Sequence, residues 1–175
     1  SAAFSSTNGS LQITGCSATE TYNTPALFVN SQHSQPGIYD GDVNLTNFVA
    51  KDNDNAGNDA SIRIVQGANV MLTDVTVDKL NTNSEAILID STSAGSPAEY
   101  TKQLTINGLI VDGGSQNLVV KDCTSMHMRS ANLNGAQSNS LVLNNVGYFD
   151  IEVTTKDHAR AGSASSVSAF AGSGD

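Results

Sequence analysis

Tryptophan is absent from this chain of 175 residues, proline occurs three times, cysteine twice, and Lys and Arg together only eight times. Each shortage excludes something. Two cysteines, Cys16 and Cys123, do not make a disulfide scaffold. Eight cations against 17 Asp and Glu leave a formal charge of −9. That balance argues against duplex nucleic acid or an anionic membrane surface as a partner, because both require clustered Lys and Arg. It leaves room for a neutral glycan or a bound cation. No apolar run approaches the length of a membrane-spanning helix, and no charged-then-apolar leader opens the sequence. Neither a nucleic-acid partner nor membrane insertion is therefore expected. The start, Ser1-Ala2-Ala3 without Met, suggests a processed product or an excised piece.

What is present is hydroxyl, amide and glycine. Ser, Thr, Asn and Gly make up roughly two-fifths of the chain, well above ordinary usage. Gly and Asn tolerate φ > 0, and Ser, Thr and Asn bond nearby backbone, so these residues suit bends. With 38% hydrophobic residues beside them, the composition predicts many short strands joined by many turns around a real core.

The strands show themselves as a repeated apolar-x-apolar triplet. A first series reads Leu11-Gln-Ile13, Val43-Asn-Leu45, Val70-Met-Leu72, Leu104-Thr-Ile106, Met126-His-Met128 and Phe149-Asp-Ile151. A second falls between its members: Leu27-Phe-Val29, Ile62-Arg-Ile64, Ile87-Leu-Ile89, Leu118-Val-Val120, Leu141-Val-Leu143 and Val167-Ser-Ala169. The two alternate strictly, giving about six cycles at solenoid-like periods. Two residues beyond each first-series triplet stand Gly15, Asn47, Asp74, Gly108 and Ser130, with Val153 breaking the rule. Most of these accept a left-handed bend. Apolar residues follow at Cys16, Phe48, Val75, Leu109 and Ala131. Each coil is thus predicted to run strand, one-residue bend, short strand, loop, strand, loop. No helical periodicity longer than a turn or two competes with this. The predicted fold is all-β, a single-stranded parallel β-helix (β-solenoid) of about six coils, forming one domain over 1–175, with a small-residue tail at 161–175. In this register the two cysteines lie three coils apart, about 14 Å at the usual strand spacing, and are expected to be buried free thiols. Neither end carries a cap, so further coils are expected in a parent chain.

This pattern resembles the right-handed parallel β-helix group, which includes pectate-lyase-like enzymes and bacteriophage tailspikes. The resemblance lies in the repeat and spans nearly the whole chain; right-handedness is what it implies. The carboxylate and Gly-His-Gly motifs of polygalacturonase-like members and the arginine-centred pattern of pectate lyases are absent. So are a phosphate loop, a Gly-x-Ser-x-Gly elbow and any metal-ligand spacing among His33, His127 and His158.

Side chains alternate along a strand, so the middle residue of each triplet should face outward. The first-series outward rows, Gln12, Asn44, Met71, Thr105, His127, Asp150 and then Thr14, Thr46, Thr73, Asn107, Arg129, Glu152, are polar. His127 should stack on Asp150 and Arg129 on Glu152, either as plain charge pairing or as the floor of a glycan groove. The second-series row contains Phe28, Leu88, Val119 and Val142 and is expected to need cover. A homotrimer packed on those four residues is the first expectation, and a loop of the same chain is the alternative.

Long loops follow two second-series strands. They hold His33, Tyr39 and Asp40 in one and Glu99 and Tyr100 in the other, suited to stacking on sugars and bonding their hydroxyls. The opposite edge is acidic. Asp52, Asp54 and Asp59 lie next to Glu20 and Asp78, from which an acid and base for glycoside hydrolysis could come. Asp52, Asp54 and Asp59 also outline a weak Ca2+ loop, with Ala56 replacing one ligand and Arg63 standing where its bidentate Glu belongs; no other cofactor is expected.

The resemblance implies three functions. The first is a phage tailspike or tail-fibre segment, in a virion tail or otherwise extracellular, that recognises and in some cases depolymerises bacterial surface polysaccharide. The second is a polysaccharide hydrolase or lyase of pectate-lyase-like fold. The third is a structural or adhesive stalk such as an autotransporter passenger segment.

Overall fold

A computed structural model describes residues 3–7, 9–19, 24–30, 41–51, 59–79, 83–91, 100–156 and 167–170. Among them there is no helix, and thus none long and apolar enough to cross a membrane. The described residues form thirteen strands in succession: β1 (Phe4–Thr7), β2 (Leu11–Thr14), β3 (Ser17–Thr19), β4 (Leu27–Asn30), β5 (Val43–Thr46), β6 (Val49–Lys51), β7 (Ile62–Val65), β8 (Asn69–Lys79), β9 (Ile87–Asp90), β10 (Thr101–Gly113), β11 (Leu118–Asn134), β12 (Leu141–Lys156) and β13 (Val167–Phe170). Every pairing is parallel, and the strands form an all-β parallel β-helix.

The register is the one the triplets predict. Leu11 pairs with Val43, Val43 with Val70, Val70 with Leu104, Leu104 with Met126 and Met126 with Phe149. In the second series Leu27 pairs with Ile62, Ile62 with Ile87, Ile87 with Leu118, Leu118 with Leu141 and Leu141 with Val167. β11 and β12 each run through both series, which joins everything into one curled sheet of 13 strands. One strand escapes the triplet pattern: β1 pairs Phe4 with Leu27 and Ser6 with Val29. Ser6 stands where the triplet needs an apolar residue, so nothing in the pattern marks it.

The bends also fall as expected. Gly15, Asn47, Asp74, Gly108 and Ser130 all take left-handed φ, between 51° and 72°. β-Branched Val153 does not, and β12 runs straight through the place where the other coils turn. The consequence is a register shift: Met128 pairs with Ile151, but Ala131, three residues on, pairs with Val153, only two residues on. A second left-handed corner lies just after the second-series strands, at Gln66, Asp122 and Asn145.

Stacking piles like residues into internal columns. Leu45, Leu72, Ile106 and Met128 are all buried, as are Leu27, Ile62, Ile87, Leu118 and Leu141. After the bend, Ala18, Ala50, Val77, Val111 and Leu133 form a third column. Each fully buried aliphatic side chain contributes about 1.5–3 kcal/mol before chain entropy is charged against it. The core thins at its ends. Phe149, expected inside, is 42% exposed, and Ile151 and Val153 are only partly buried. Among the described residues no coil lies beyond this part of β12; β13 pairs only with Leu141–Asn144. Both cysteines are free. Cys123 is buried, but Cys16, near the other end, is only half-buried, which corrects the expectation for it.

Candidate functional site

The outer face of the first-series sheet is built by alternation. Three outward rows run up it. The central row, Gln12, Asn44, Met71, Thr105, His127 and Asp150, is in direct register from coil to coil. Thr14, Thr46, Thr73, Asn107 and Arg129 flank it on one side. On the other, Asn69, Gln103, Ser125 and Tyr148 are paired in the same way. Neighbouring side chains in a row are about 4.8 Å apart. The face is therefore a lattice of amides and hydroxyls, interrupted by Met71 at 40% exposure.

Its C-terminal end carries the chemistry. His127 stacks on Asp150, as the sequence predicts, with Nδ1 3.9 Å from Asp150 Oδ2. That is an electrostatic contact, too long for a direct hydrogen bond. Arg129 does not sit over Glu152. The register shift removes Glu152 from its row, and the guanidinium turns to Asp150 instead. Nη2 donates to Asp150 Oδ2, and Nη1 donates to the carbonyl oxygens of Met128 at 3.0 Å and Asp150 at 3.1 Å. The hydrogen bond from Arg129, more than any other influence, holds the Asp150 carboxyl below its ordinary pKa; desolvation opposes this, and the charges of Arg129 and His127 add to it. Tyr148 completes the cluster. Its ring centroid is 5.6 Å from that of His127, the planes are tilted by 53°, and the residue is 55% exposed. Tyr148 went unnoticed in the sequence. Its signal is position alone: it precedes Phe149 and so belongs to the Asn69–Gln103–Ser125 row.

The acidic edge is only partly described. Glu20, Asp52 and Asp54 lie outside the described residues. Asp59 is engaged: its Oδ1 accepts from Arg63 Nη1 at 3.1 Å, and its carbonyl accepts from Lys79 Nζ at 3.1 Å and Ser84 Oγ at 2.8 Å. Lys79 is itself almost wholly buried, so Asp59 anchors the chain to the coil beside it. Asp78 stacks in register with Asp112 on the next coil. Among the described residues no group of three or more His, Cys, Asp or Glu could hold a metal. Of the loop residues suited to sugars, Tyr100 is half-buried beside β10, while His33, Tyr39, Asp40 and Glu99 lie outside the described residues.

The apolar outward row of the second series is less open than expected. Leu88 and Val119 are 8% and 2% exposed within the single chain and pack with Ala60 and Val142 in a small cluster apart from the main core. Phe28 is half-buried, with the Arg63 guanidinium carbon 5.8 Å from its ring centroid. What remains for another surface to cover lies at the two ends, Phe28 and Val142.

A scan against protein-family models matches no family, and searches of curated proteins and of solved structures find no match.

Proposed function

We propose that the chain is a tailspike or tail-fibre type β-helix segment, in a virion tail or otherwise outside the cell, that recognises a bacterial surface polysaccharide. The observation carrying this reading is the first-series face. A sheet face with hydroxyl and amide groups repeating at every coil supplies regular rows of donors and acceptors. The Tyr148–His127 pair at its end adds an exposed aromatic surface. Recognition ranks ahead of cleavage because the Asp59 carboxylate is already engaged by Arg63 of its own chain. The virion setting rests on the resemblance and on free thiols in a stack that has no disulfide. Assembly as a homotrimer through the Phe28 and Val142 ends of the second-series row belongs to the same proposal.

The test is titration of the intact chain against a panel of purified bacterial capsular and O-chain polysaccharides, with reducing-end release followed in parallel. Saturable binding without release is the expected result. Release of reducing ends that persists in Asp59→Asn and Asp78→Asn variants would shift the reading to an enzyme with its site elsewhere. Absence of binding across the panel would favour a stalk.

A further inference from the structure

Resting on the reading of this face as a glycan site, we infer that it takes an uncharged sugar and that Tyr148, backed by His127, is its anchor. Tyr148 is the most exposed large apolar side chain of the described residues, and it stands at the end of a face made mainly of amides and hydroxyls. Its ring leans on the His127 imidazole, so it is braced rather than free to sweep. A braced aromatic face receives the C–H side of a pyranose ring, leaving the sugar's hydroxyls at the rim to meet neighbouring polar groups. Two such groups adjoin it. The Ser125 hydroxyl, in register with Tyr148, donates to the Lys102 carbonyl at 3.1 Å and keeps its acceptor capacity. The Asp150 carboxylate accepts from Arg129 and has further lone pairs to offer a hydroxyl donor.

Charge decides the class of sugar. Among the described residues Arg129 is the cation beside Asp150, and three of its five donors go to Asp150 and to the carbonyls of Met128 and Asp150. Its charge is paired with Asp150, which weakens it as a clamp for a ligand carboxylate. Asp150 and Glu152 stand beside it. Lys102, exposed at the head of β10, has an interaction of its own. A uronate or sulfated polymer would approach two carboxylates and one neutralised guanidinium on a chain of charge −9, and would be repelled. A neutral polymer meets no such barrier.

The experiment is isothermal titration of the intact chain with dextran, mannan and galactan as neutral probes and with polygalacturonate and alginate as acidic ones, at low and high salt. The expected result is binding confined to a neutral polymer, unchanged by salt, and weakened roughly tenfold by Tyr148→Ala, the size of one stacking contact, with the unfolding midpoint unmoved. Acidic polymers binding as tightly, or Tyr148→Ala leaving the affinity intact, would overturn this inference while sparing the glycan reading. No binding by either class would count against that reading, and the inference would fall with it.

Discussion

At Gly108 the backbone takes φ +72°, and a Cβ there would stand 2.3 Å from the Asp74 carboxylate on the coil below. The position is restricted twice, by conformation and by contact. Gly108→Ala should cost about 1–2 kcal/mol from the left-handed backbone alone, and more from the displaced carboxylate. Ser130, at φ +55°, stands in the reverse situation, so Ser130→Gly should change stability by less than about 1 kcal/mol, toward a gain. Urea unfolding of the two variants measures both. Cys123 offers a different residue-scale test. Burial pushes its thiol from an ordinary 9.0 up to about 11, against the lowering effect of hydrogen bonds with the Ser125 and Leu104 backbone. The native state therefore holds a proton that the unfolded chain gives up. That contribution to stability is complete below pH 9 and is lost as pH rises to about 11. The urea midpoint should fall over that window in the wild type and less in Cys123→Ala. In the native protein at pH 8, a thiol reagent should label Cys16 well before Cys123.

At the scale of the element, the internal columns hold the stack and the outward rows are spare for function. Ile106, between Leu72 and Met128 in register, should cost about 2–5 kcal/mol on truncation to Ala. Its outward neighbour Thr105 should cost no more than about 0.5 kcal/mol. The same division decides what could be read from the chain. Leu11, Val43, Val70, Leu104 and Met126 announced their register because a strand buried on its inner face must repeat its apolar period. The left-handed bends announced themselves through Gly, Asn and Asp for conformational reasons. β1 did not, since Ser6 stands in register with Val29, where the triplet needs an apolar residue. Phe149 was legible as a strand residue but not as an exposed one, because its burial depends on a neighbouring coil, which no local pattern encodes. The turn of Arg129 from Glu152 to Asp150 follows from a one-residue shift that Val153 imposes. The missing bend was visible; its effect on side-chain pairing was not. Tyr148 lies in a row with no apolar signature, so only knowledge of the register picks it out.

For the whole molecule, the open question of cover on the second-series face becomes a question of mass. If three chains pack on it, light scattering during size exclusion should give about three times 18.1 kDa. Phe28→Asp and Val142→Asp should then return the mass to that of one chain without unfolding it, because both side chains are only half-buried. Val119→Ala should act differently: buried within its own chain, it should lower the unfolding midpoint before it alters the mass. A wild-type mass of one chain at all concentrations would remove the trimer from the proposal.

The all-parallel register also sets how the protein bears load. Its backbone hydrogen bonds run from coil to coil, along the stacking axis, and each coil is held by its neighbours alone. Tension applied along that axis falls on one sheet edge at a time, so the chain should peel rather than rupture as a unit. From Leu104 to Met126 is 22 residues and from Val70 to Leu104 is 34. Each coil peeled should therefore lengthen the tether by roughly 7–12 nm, at about 3.3–3.6 Å per residue, and a force trace should record the solenoid as a staircase of unequal steps.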